Sequence, residues 1–359
     1  MQTTINHGVT LKSQNRVSDK KIKTTIMKKF NLTSVSVAAL LLLAVSCTKD
    51  KNDMGFVPTN PDGNAQQFVA SNAPKTQTMQ IDASNLPQSV TLKGGTKITF
   101  PAGSLTVGGA AVTGTVTVEA VEVLKRSDVL FYGSNTNHIS GAPLASDGFI
   151  YVNVKANGTS VDNMMPVPMQ ISIPAKRSGV TQLWEGVDQG GNPLVAGAAA
   201  QMAWAAPRKG ANGQDGGKEV ASVNNTFTFN FGTTGWINTD VFYSYSNPKT
   251  TVNVDLVGNP GTLSSFHSYS GETYVYFCAK GSNVAAQLYT TTGPNSVKSY
   301  DNVMPIGVEG KFLTFSIKDG KYYYGELEST ITANQHVTLT LTETTEAAVQ
   351  TAINSLDSY

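Results

Sequence analysis

From about residue 90 onward, apolar side chains recur at every second position. Ile150, Val152 and Val154 alternate with Tyr151, Asn153 and Lys155, and Val167, Met169, Ile171 and Ile173 repeat the pattern. Phe227, Phe229 and Phe231 follow, then Val252, Val254 and Leu256, then Val337, Leu339 and Leu341. A period of two puts such residues on one face of an extended chain, so each run reads as a half-buried strand. Lys318-Asp319-Gly320-Lys321 separates two of these runs and predicts a two-residue hairpin, since glycine accepts the positive φ of a type I′ turn. Short strands with turn signals between them favour antiparallel sandwiches. The expected fold is therefore mainly β: two tandem antiparallel β-sandwich domains with a short C-terminal helix.

A length of 359 residues suits two domains of ordinary size. The N-terminal sandwich is expected over residues 75–178 and the C-terminal one, with its helix, over 248–359. Between them, 179–247 reads as a linker or insertion with strands and a Gly/Ala-rich loop. Half of residues 186–217 are Gly or Ala, and PRKGANGQDGG at 207–217 carries nothing apolar larger than Ala. Such a segment has little apolar area to offset the entropy of ordering it, so a mobile, trypsin-sensitive loop is expected there, cut first after Arg208, Lys209 or Lys218. Two local irregularities are also expected. In residues 115–123 the apolar phase flips from Val116 and Val118 to Val121 and Val123, which predicts a bulge. Pro168 on the polar side of its run predicts an edge strand. Over 344–356, Val349, Ile353 and Leu356 share one helical face behind a Thr N-cap, with Glu346 in the first turn.

The N-terminus reads differently. Lys28 and Lys29 precede the uncharged run VSVAALLLLAV at 35–45. A basic segment and an 11-residue apolar core make an export signal, well short of the ~20 residues of a spanning helix. Met27 is the natural start of that signal, with residues 1–26 as an upstream extension. The run ends Leu43-Ala44-Val45-Ser46-Cys47, and a small residue before cysteine at this place resembles the lipobox of bacterial lipoproteins. The resemblance implies cleavage before Cys47, diacylation (palmitate-type chains) of its sulfur and an acyl cap on the new amino group. Ala44 departs from the commoner Leu, and an unmodified cysteine beside an ordinary cleavage site is the alternative. Three chains would hold the protein on a membrane, where one gives only marginal binding. Thr48, where inner-membrane retention favours Asp, implies the outer membrane. Lys49-Asp50-Lys51-Asn52-Asp53 resembles export tags on surface lipoproteins of Bacteroides-like bacteria. Residues 47–74, rich in Asn, Asp, Gly, Pro and Gln, read as a flexible tether.

Two further stretches carry resemblances. Residues 91–105 (TLKGGTKITFPAGSL) look like the opening of the sandwich domain shared by ankyrins, netrin receptors and tight-junction scaffolds, over about residues 88–175. Gly235-Trp236-Ile237-Asn238-Thr239-Asp240 resembles a Trp-Ile-Asn-x-Asp element of exported proteins from Bacteroides-like bacteria. Neither implies an activity.

Charge and chemistry exclude more than they assign. The whole chain has net charge +1, and removing residues 1–46 leaves 19 basic against 24 acidic residues, a net of −5. That balance argues against nucleic acid as a partner. His138, His267 and His336 stand far apart with no metal-binding spacing, and Cys278 in YVYFCA reads as a buried small hydrophobe. Glu119 and Glu122 are a candidate carboxylate pair, with the same face and opposite faces both open. Asp147-Gly148 and Asp319-Gly320 read as turns, without the acid density of a calcium loop. No catalytic, cofactor or metal residue is expected, and Cys47 is the one site, for lipidation. Tyr243, Tyr245, Tyr274, Tyr276 and Tyr322–Tyr324, with Trp184, Trp204 and Trp236, are the candidates for stacking on a glycan or filling an interface. The expected function is a non-catalytic, lipid-anchored cell-envelope protein acting as a binding or spacer module on the outer membrane, on its periplasmic or surface face. The expected partners are the membrane, through the anchor, and an envelope protein or glycan. A glycan-binding lipoprotein of a nutrient-uptake system and a fimbrial or adhesin subunit are the alternatives.

Overall fold

The computed structural model describes residues 64–188, 190–194, 202–208, 219–244, 246–264 and 271–359. The expected export signal, Cys47, residues 47–63, Lys209 to Lys218, Tyr245 and His267 lie outside the described residues. Within them the chain is mainly β, and its longest helices are α1 (Asn64–Asn72), α2 (Arg126–Phe131) and α3 (Glu346–Ser355).

Four larger sheets, the first two joined through a shared strand into one of twelve strands, share three apolar interiors. In the first sheet the strands Thr226–Thr233, Met164–Pro174, Lys97–Phe100 and Gln88–Thr91 pair in that order. The second runs Gln77–Asp82, Thr115–Val123, Leu144–Ala156, Gly235–Phe242 and Val180–Val187. The strand Glu219–Val223 turns the corner between them, pairing first with Val180–Val187 and then with Thr226–Thr233. The third sheet is built on Thr273–Ala279, Glu309–Lys318 and Lys321–Thr330. The fourth comprises Thr290–Gly293, Ser296–Lys298, Asn253–Val257 and His336–Thr340, the last two pairing in parallel.

Alternation along each strand distributes side chains between interiors. Val116, Val118, Ile150, Val152, Ile171 and Phe231 fill the space between the first and second sheets. Val254, Val275, Phe277, Phe312 and Leu339 fill that between the third and fourth. A third interior takes the opposite faces of the second and third sheets: Val121, Phe149, Tyr151 and Trp236 from one, Tyr274, Tyr276, Leu313 and Phe315 from the other. This middle interior is aromatic-rich. Tyr132 meets Trp236 at 5.2 Å between ring centroids, Phe149 meets Trp204 at 4.9 Å, and Tyr274 meets Phe315 at 5.1 Å. Hydrogen bonds cross the same boundary. Thr136 N donates to Ala285 O (2.9 Å), Asn137 Nδ2 to Gln287 O (3.2 Å) and Asn283 Nδ2 to Ser146 O (3.0 Å).

Several expectations change with this architecture. The phase flip in Thr115–Val123 is no bulge, because its register is unbroken against both neighbours. The strand is buried on both faces, so Val116 and Val118 enter one interior while Val121 and Val123 enter another. Met164–Pro174 is an internal strand, paired on both sides, and Pro168 falls where the register against Thr226–Thr233 shifts, so no ladder donor is missed. Residues 179–247 are no linker: their strands complete the first two sheets, since Val180–Val187 and Gly235–Phe242 pair with each other and Gly235–Phe242 with Leu144–Ala156. Arg208, expected in the mobile loop, is tied to Glu185, with Nη2 to Oε1 at 2.8 Å.

Part of the tether expected over 47–74, Asn64–Asn72, is instead a helix. Ala65, Phe68 and Val69 occupy positions i, i+3 and i+4 of α1, which puts all three on one face and buries them in the middle interior. Phe68 packs edge-on to Phe131, Phe315 and Tyr322 at about 6 Å. Other expectations hold. Asp319 (φ 50°) and Gly320 (φ 74°) form the hairpin turn, with Lys318 opposite Lys321. At the start of α3 the Thr345 side chain accepts from Ala348 N, and Val349 and Ile353 of the helix and Leu356 just after it are buried.

Candidate functional site

The sites suggested by residue type are dispersed by the fold. Cys278 is fully buried in Thr273–Ala279, and burial pushes its thiol up to about 12, so it holds no thiolate at neutral pH. Glu119 and Glu122 lie on opposite faces of their strand. Glu119 meets Lys155 Nζ at 2.8 Å, while Glu122 accepts from Gly94 N (2.7 Å), Thr96 N (3.0 Å) and Gln77 Nε2 (3.0 Å). Both carboxylates are thus committed to structure. His138 packs edge-on to Trp184 and Phe242, its Nδ1 2.8 Å from Ser140 Oγ, and burial lowers its pKa. His336 is exposed on a strand of the fourth sheet. Among the described residues, no group of three His, Cys, Asp or Glu side chains could hold a metal ion. Asp147 is buried against Arg177, with Oδ2 to Nη2 at 2.6 Å. Trp184, Trp204, Trp236, Tyr274 and Tyr276 are core residues, while Tyr243, Tyr322, Tyr323 and Tyr324 remain half-buried.

The fold assembles a different site, at the seam of the two halves. A cavity of about 570 Å³ opens there. Lys125 and Arg126 reach it from the end of Thr115–Val123 and the start of α2, and Lys176 and Arg177 from the connection after Met164–Pro174. Ser146 and Asp147 come from Leu144–Ala156, residues 281–283 from the loop after Thr273–Ala279, and Asp357 and Tyr359 from the last turn of the chain. Both halves of the protein therefore build it.

Its side chains are unevenly matched. Asp147 is held by Arg177, and Asp357 accepts from Ser127 N (2.9 Å) and Oγ (2.8 Å) with Lys125 Nζ at 3.9 Å. Arg126 is only 5% exposed, and its Nη2 donates to the backbone carbonyls of Ala279 and Ser282. Its Nε and Nη1 have no hydrogen-bond partner in the protein. The Tyr359 ring lies 5.8 Å from the guanidinium carbon. Burial lowers the Arg126 pKa, and nearby Cys278 and Asp357 oppose that shift. Lys176 Nζ donates to the carbonyl of Leu124.

Behind Ser146 and Asp147 lies a buried polar cluster. Asn238 Nδ2 donates to Asp240 Oδ2 (2.6 Å), Ser146 Oγ to Asn238 Oδ1 (3.4 Å) and Trp184 Nε1 to Asp240 O (3.0 Å). Asp240 is fully buried, and desolvation pushes its carboxyl up to about 8. The Trp-Ile-Asn-x-Asp element is thus interior scaffolding beside the cavity. Reasoning from residue types missed the cavity itself. Its one visible trace was the pair of Lys-Arg dipeptides, each just past the end of a strand, whose approach depends on the pairing of the whole sandwich. No protein-family model matches the chain, and no curated protein matches it.

Proposed function

We propose that the chain is a non-catalytic, lipid-anchored protein of the bacterial cell envelope, held on the outer membrane through Cys47 and acting as a binding module. The reading rests on one sequence observation: the basic and apolar signal of residues 28–45 runs directly into Ser46-Cys47. A continuous folded body whose first described element, α1, starts at Asn64 leaves residues 48–63 to join it to the acylated cysteine. The cavity at the seam favours binding over a purely spacing role, because spacing requires no concave polar surface. All three tryptophans are core residues, so a glycan would have to be recognised without a tryptophan platform.

Metabolic labelling with an alkyne fatty acid tests the anchor. The expected result is label on the wild-type chain, found in the outer-membrane fraction, and none on Cys47→Ala. Equal labelling of the variant would remove the basis of the proposal.

A further inference from the structure

The seam cavity gathers four cationic side chains, Lys125, Arg126, Lys176 and Arg177, against two side-chain carboxylates, Asp147 and Asp357. Counted over side chains, that is an excess of two positive charges in a chain that is acidic once residues 1–46 are removed. The excess is also concentrated. Arg177 spends its charge on Asp147 at 2.6 Å and Lys125 sits 3.9 Å from Asp357, whereas Arg126 and Lys176 hydrogen-bond only to carbonyl oxygens. Burying an arginine with no carboxylate in salt-bridge contact is unfavourable, and two of its three nitrogens stay without hydrogen-bond partners.

We propose that this cavity binds a small hydrophilic ligand through an oxyanion group: a carboxylate, sulfate or phosphate. Lys125 and Lys176 at the exposed mouth meet the anion first. Arg126, screened by the Tyr359 ring, supplies charge from the low-dielectric wall, where its field is least attenuated. Ser146, Ser282 and Asn283 add neutral polar groups to the lining, and about 570 Å³ falls within the range of small-molecule sites. The inference rests on the binding part of the function proposed above, and it does not depend on acylation of Cys47.

The test is thermal unfolding of the full chain in detergent micelles, titrated with sodium sulfate, sodium phosphate, sodium glucuronate or neutral glucose. Sodium chloride holds the ionic strength constant. A ligand that binds only the folded chain raises the midpoint with its concentration. At least one oxyanion is expected to raise it while glucose does not, and Lys125→Gln/Lys176→Gln should weaken that effect about tenfold or more. Both replaced residues are exposed, so the double variant keeps the fold. Lys321→Gln, on a distant hairpin, should behave as wild type. A response to glucuronate alone assigns a sugar carboxylate, and a response to sulfate and phosphate assigns a tetrahedral oxyanion. No shift beyond the chloride control, or full retention in the double variant, overturns the proposal. Repeating the titration on Cys47→Ala separates it from the anchor, since loss of acylation should leave anion binding unchanged.

Discussion

Asp240 is where a single residue couples most directly to solution conditions. Its carboxyl is fully enclosed, with Asp147 close by, and titrates near 8 in the folded chain against 3.8 for the ordinary group. Between those values the folded state holds a proton that the unfolded state has lost, so stability falls as pH rises from about 4 to about 8. The slope is at most about 1.4 kcal/mol per pH unit for one group. Asp240→Asn mimics the protonated form and keeps an oxygen for Asn238. Urea unfolding across this range should show wild type losing stability with rising pH and the variant losing less. An unchanged slope in the variant would place the titration elsewhere. The residue types around Asp240 were plain in the sequence, but its burial was not. Period two predicts which residues share a face and is silent on whether the far face meets water or a second sheet.

At the scale of elements, the same ambiguity explains most of the differences from expectation. TVTVEAVEV looks like an irregular half-buried strand, because reading by alternation assumes one wet face, and TYVYFCA offers no polar alternation to read. Both are buried on two sides, so the expected bulge in Thr115–Val123 was a change of interior. The strands with one clear face, such as Thr226–Thr233 and His336–Thr340, were legible throughout. So were the 318–321 turn and α3, whose signals are local. The first helix was missed, falling inside the expected tether: Ala65, Phe68 and Val69 have helical spacing, but nine residues of mixed polarity do not make a helix stable by themselves. Tertiary burial holds α1, and Phe68→Ala should cost about 3–5 kcal/mol, read from the shift in denaturant midpoint. A change below 1 kcal/mol, on the order of a surface substitution, would mean that α1 is not anchored as described.

For the whole molecule, the middle interior decides how the two sandwiches behave. Each has its own core, yet Tyr274, Tyr276, Leu313, Phe315 and Ile317 face across the seam to residues of the other half. Residues 248–359 expressed alone would expose that aromatic face, together with Val349 and Ile353 of α3. The isolated half should therefore bind a hydrophobic dye and self-associate, while the intact chain unfolds in one cooperative transition. A monomeric isolated half with no dye binding would return the protein to two independent modules.

What the sequence determined alone was everything governed by neighbours along the chain: strand periodicity, the Asp319-Gly320 turn, the Thr345 cap and the expectation of an anchor at Cys47. Tertiary structure decided the rest. It turned an expected linker into five strands of the first sandwich, drew α1 out of the expected tether and placed Lys125-Arg126 beside Lys176-Arg177 across about fifty residues of chain. Period two records the side on which a residue lies. What covers that side depends on burying the outer face of each sandwich, and the apolar area that drives this comes from segments far apart in sequence.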